Sequence, residues 1–173
     1  MADKKVSFGL TSIQSGPIEA DGGMSTSLSE EFGYTVLGTA VLETTEPSTE
    51  DIGIEESDAP IMQLVSEPGK WTIAFHTYNV SPEAMVAAFG GTITGVAPNQ
   101  VWTAPTSRPS IERSVKVTTK SGMTIDMARV SLSAKATMNF DKNQLGKLEM
   151  TGTVLEPTKA GTKALVINYG TAA

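Results

Sequence analysis

His76 is the only histidine in the 173 residues, and there is no cysteine. A Ser-His-Asp relay would need His76 as its base, and no G-x-S-x-G turn is present to expose a serine. One histidine cannot supply a histidine-based metal cluster, and thiolate nucleophiles, disulfides and cysteine zinc sites are excluded outright. The acids Asp51, Glu55, Glu56 and Asp58 have the oxygen chemistry of calcium ligands. Their spacing, however, does not reproduce the D-x-[DN]-x-[DN]-G loop with its closing glutamate. The pairs Glu30-Glu31 and Glu55-Glu56 lie in polar stretches, without the apolar surroundings that split two carboxyl pKa values for glycoside chemistry. No glycine pattern matches a dinucleotide or phosphate loop. The expectation is a protein with no catalytic residues, no cofactor and no metal.

Charge narrows the partners. Net charge is −6, and its distribution is uneven. Val6 to Gly69 carries twelve acids and no Lys or Arg, whereas Lys70 to Ala173 carries eleven bases against six acids. An acidic front and a mildly basic remainder suit pairing between copies of the chain. Lys116, Lys120, Arg129 and Lys135 are dispersed and not interleaved with aromatics, so nucleic-acid binding is not expected. No apolar run reaches the roughly 18 residues that a membrane span requires. Met1-Ala2-Asp3-Lys4-Lys5 lacks an apolar stretch behind its lysines, which predicts a chain without a signal peptide, made in a cytoplasm.

The elements that must carry these residues read as mainly β, in one domain spanning 1–173. Charged residues are 18% of the chain and cover little of the pattern; Ser, Thr, Ala and Gly are abundant. Residues 1–33 read as an extended N-terminal arm, with a short β-like start at Val6–Ile13. Tyr34–Glu43 reads as a strand, and Thr44–Ala59 as a long acidic loop with six acids and no base. Ile61–Ser66 and Lys70–Tyr78 read as a hairpin about Glu67-Pro68-Gly69, with Trp71, Ile73, Phe75 and Thr77 on one face. Over 81–90 the period changes to helical. Ser81 is the N-cap, Pro82 opens the first turn, Met85, Val86 and Phe89 mark the apolar side, and Gly90-Gly91 is the stop. Short strands at Thr92–Gly95 and Val101–Ala104 precede a meander of Ile111–Lys120, Met123 to Phe140, Lys147–Leu155 and Ala164–Tyr169. In the second of these, Val130, Leu132, Ala134, Ala136, Met138 and Phe140 alternate with Ser131, Ser133, Lys135, Thr137 and Asn139.

An acidic stretch, the run PGKWTIAFHTYN and a helix VSPEAMVAAFGG with its Gly-Gly end, in a β-rich chain without a catalytic constellation, resemble the tail tube (major tail) proteins of long-tailed bacteriophages. The resemblance implies an antiparallel β-sandwich or barrel-like subunit that forms hexameric rings. The rings would stack into a hollow tube through which DNA passes without specific binding. It implies a virion location after assembly in the host cytoplasm. The partners would be further copies of the chain and other tail proteins such as the tape measure, terminator and baseplate. On this reading Glu46, Glu50, Asp51, Glu55, Glu56 and Asp58 are interface candidates that meet Lys116, Lys142 or Lys147 of a neighbour. Ser131, Ser133 and Thr137 are lumen candidates. The competing readings are another virion ring protein (terminator, decoration or baseplate component) and a β-sandwich binding module, against which stands the supply of only two tryptophans, Trp71 and Trp102, to stack sugars.

Overall fold

A computed structural model of the chain describes residues 5–170, so the first residues of the expected arm lie outside it. The chain is mainly β and antiparallel, with one short helix among the described residues. The main sheet runs β1 (Leu10–Pro17), β8 (Ile111–Thr119), β9 (Thr124–Thr137), β10 (Lys147–Val154), β5 (Trp71–Thr77), β2 (Val41–Thr44). The 14-residue β9 organises it. Its first half lies between β8 and β11 (Leu165–Asn168), and its second half between β8 and β10. The sheet rolls until its end strands β1 and β2 face one another across a groove, which leaves the barrel-like architecture open.

The core follows from period-2 alternation. Ile73, Phe75 and Thr77 of β5, Val130, Leu132 and Ala134 of β9, and Leu148 and Met150 of β10 are buried on one face. Helix α1 (Pro82–Phe89) closes part of that face. Ser81 caps it by accepting a hydrogen bond from the Ala84 N–H, and Gly90 ends it at φ 73°. The helix buries Ala84, Ala87, Ala88 and Phe89, whereas Met85 and Val86 are half-buried at its flank. Small alanines let the helix approach the sheet closely, so they take the inner position that side-chain size alone would give to Met85 and Val86. The hairpin β6 (Thr92–Thr94) and β7 (Val101–Thr103) clamps the helix end. Trp102 packs on Phe89 with ring centres 6.4 Å apart and donates from Nε1 to the Gly90 carbonyl.

Four expectations change. The strand expected over Tyr34–Glu43 is broken. Val36 N–H donates to the His76 carbonyl, but residues 37–40 bulge out before pairing resumes at Val41 opposite Ala74. Gly38 turns the chain at φ 76°, and the Thr39 hydroxyl accepts the His76 N–H that a continuous ladder would have used. Residues 18–33 are not a free arm. Phe32 is buried against Phe75, and Glu31 accepts from Ser15 Oγ and pairs with Arg113. Ser25 N–H donates to Ser114 Oγ, which donates onward to the Ala128 carbonyl.

The last two corrections concern one feature. Thr44–Ala59 is not a loop: β3 (Ser48–Ile54) pairs with β4 (Ser57–Glu67), and the reversal lies at Glu55-Glu56. Accordingly Glu67-Pro68-Gly69 is not a hairpin turn. Thr44 pairs with Trp71, Thr45 N–H donates to the Lys70 carbonyl, and Ser48 pairs with Glu67. β4 and β5 are therefore successive parts of one side of a ribbon, with a break at Pro68-Gly69. Proline removes a donor there, and a Cβ at residue 69 would collide with the Thr45 carbonyl oxygen. Trp71, on the same strand face as the buried Ile73, Phe75 and Thr77, sits where the ribbon leaves the sheet and is 38% exposed.

Phe75→Ala should lower stability by about 3–5 kcal/mol, the range for a buried aromatic. Trp71→Ala should cost less than half of that, read as the two shifts in thermal unfolding midpoint.

Candidate assembly surface

The ribbon is the most unusual surface of the chain. Every residue from Glu43 to Trp71 is exposed. The seven residues of β3, at about 3.3 Å each, carry it roughly 23 Å along its own axis. Register places Glu50, Ile52, Met62 and Leu64 on one face, with Ile54 continuing the same alternation; Asp51 and Gln63 share the other face with Thr49 and Val65. Asp51 Oδ1 accepts a hydrogen bond from Gln63 Nε2 at 2.9 Å. The first face is thus a stripe of large aliphatic side chains, 38–54% exposed.

All six acidic candidates fall on this ribbon or at its root. Glu46 precedes β3, Glu50 and Asp51 lie within it, Glu55 and Glu56 make the reversal, and Asp58 opens β4. The basic candidates are scattered. Lys116 on β8 is half-buried and faces Asp126 at 3.6 Å, and Lys147 pairs with Glu149 at 3.0 Å. Lys142 lies exposed in the connection between β9 and β10. Two of the three cations proposed to meet a neighbour's acids are therefore already paired within the chain. Lys142 lies beyond the end of the sheet that carries Thr77 and Leu148, away from the ribbon root at Thr44 and Trp71.

The lumen candidates share a different surface. Ser131 pairs with Thr153, Ser133 with Thr151, and Thr137 with Lys147, all on the side of the sheet away from the core. Thr72 continues the first row onto β5. This face is small and polar at its centre, with compensated charges around it. Glu149 meets both Lys147 and Lys135, and Arg129 holds Glu112 through two hydrogen bonds of 2.8 and 2.9 Å. The hydrogen bond from Lys147 holds the Glu149 carboxyl below the usual range, against the opposing effect of burial. Arg129 does the same for Glu112. His76 lies on this face too, opposite Glu149.

Two features have weak sequence signals. The 37–40 bulge leaves Leu37 99% exposed. Beside it, between β1 and β2, runs a groove of about 470 Å³ floored by Ile13, Ile73, Val117 and Ile125. The spacing of Glu50, Ile52 and Ile54 carries the period of a strand, but nothing marks the groove, which arises only when the sheet rolls. Among the described residues no three His, Asp or Glu side chains gather as metal ligands, and no helix is long and apolar enough to cross a membrane.

No protein-family model matches the chain, and a search of curated proteins returns no match.

The Glu112 pair gives a pH test. A carboxyl whose folded pKa is depressed contributes stability above its unfolded pKa and loses it as pH falls through the folded value. Glu112→Gln should therefore lower stability by about 1 kcal/mol or less at pH 7. The difference from the parent should disappear in strong acid, where both chains are neutral at this position, as measured by denaturant unfolding at the two pH values.

Proposed function

We propose that the chain is a self-assembling structural subunit whose copies form rings stacked as the hollow tail tube of a bacteriophage, a conduit for DNA. The observation that carries this reading is the ribbon. A two-stranded β-ribbon is at best marginal in water when it stands alone, and an apolar, unpaired edge invites another chain. This ribbon has an aliphatic stripe that its own subunit leaves about half-exposed. Completing the burial of side chains already about half covered contributes roughly 1 kcal/mol each, so four of them supply a substantial part of a contact between copies.

The charge pattern supports the same reading. The ribbon carries acids and no base, so ribbons of two copies repel each other while the more basic remainder of the chain attracts them. That difference favours head-to-tail contacts, the heterologous type that builds rings and open-ended stacks. Among the described residues the small polar face around Ser131, Ser133 and Thr151 carries no cluster of unpaired cations, which suits a wall that DNA slides past without adhering.

Replacing Ile52, Met62 and Leu64 together with Ser tests the reading by sedimentation velocity. The expected result is loss of assemblies that the parent forms, with the monomer's unfolding midpoint nearly unchanged because these side chains lie outside the core. Assembly equal to the parent's would remove the ribbon from the interface.

A further inference from the structure

We propose that the groove between the facing edges of β1 and β2 is the seat for the Ile52, Met62 and Leu64 face of the ribbon from a second copy of the chain; this rests on the self-assembly reading above. The groove is apolar at its floor, and among the described residues no charged side chain lines it. Its rims are also apolar and uncovered: Phe8 is 62% exposed, Leu37 99% and Val41 48%. Phe8 precedes β1 and Leu37 precedes β2, the two ends of the sheet path; the outer edge of β1 is paired only at Ser15, with Ser29, so both end strands keep outward-facing backbone groups. A ribbon offers both requirements together, aliphatic side chains for the floor and strand backbone for the edge.

Three observations favour this occupant. The subunit's own ribbon leaves β2 and β5 at Thr44 and Trp71, whereas the groove runs back from Leu42 towards Thr35. The ribbon thus departs from its own groove with all its residues exposed, so a ribbon seated in that groove is one from another molecule. The charges also match. Lys120 lays its stem against Gly9, a groove residue; it is exposed and has no ion pair among the described residues, while the ribbon carries Glu50, Asp51, Glu55, Glu56 and Asp58 without a base. Finally, a groove filled by the neighbour's ribbon is a head-to-tail contact. Each copy has one ribbon to give and one groove to fill, so the contact repeats from subunit to subunit without saturating.

The absence of cysteine allows a direct test. Leu37→Cys and Leu64→Cys are made as separate chains, mixed at assembling concentration and oxidised mildly. The expected product is a disulfide-linked dimer of the two different chains, and a chain carrying both changes should give a ladder of linked oligomers. Phe140→Cys, 98% exposed in the β9–β10 connection, should not link to Leu64→Cys. As a second measurement, Leu37→Asp should raise the concentration needed for assembly at least tenfold without altering the monomer's unfolding midpoint. Assemblies that form normally from Leu37→Asp, or that link Leu64→Cys to Phe140→Cys instead, would overturn the groove as the seat while leaving self-assembly standing. A parent chain that stays monomeric under every condition would overturn both.

Discussion

The structure depends on one constraint: a strand pair that outruns its sheet must find cover elsewhere. β2 and β5 are held within the sheet by pairing and by the core residues Leu42 and Ile73. Their continuations, β3 and β4, keep the ladder but lose every other neighbour. Inside the sheet, each apolar side chain has a floor to meet; in the ribbon, the same alternation points Ile52, Met62 and Leu64 into solvent. Such a surface favours association whenever a complementary apolar site is within reach.

The rest of the subunit gives that ribbon a rigid root. β5 is paired on both sides, and Phe75 packs on Phe32, which anchors residues 18–33 to the core. Arg113 and Glu31 hold that segment to β8, and Ser114 ties Ser25 to the β9 backbone. Rolling of the sheet then brings its two ends together around the groove. Closure of the barrel within one chain would remove both free edges. An open barrel with a projecting ribbon leaves both, and the two surfaces are of compatible chemistry.

The legible parts of the sequence were those with local causes. Ser81, Pro82 and Gly90 bracket the helix because capping is decided within a few residues. β9 and β10 follow their alternation as far as Ala134, beyond which Met138 and Phe140 leave the core while the pattern continues. The illegible parts depended on what lay opposite. Pro68-Gly69 has the composition of a reversal, yet here it breaks a ribbon that carries straight on, while the true reversal at Glu55-Glu56 contains neither residue. Thr39 interrupts a good strand sequence because its hydroxyl competes for the His76 N–H across the ladder. The acidic residues form one exposed stretch, but their density in the sequence hides the strand period beneath them. Lys116 and Lys147 could not be distinguished from Lys142 until their partners on neighbouring strands were known.

The central claim is that the ribbon makes this chain a subunit of an open-ended assembly. Electron microscopy of the purified full chain, over a range of concentration and salt, tests it most directly. The account predicts rings or tubes with a central channel, lengthening as concentration rises. Particles of single-subunit size under every condition would contradict it.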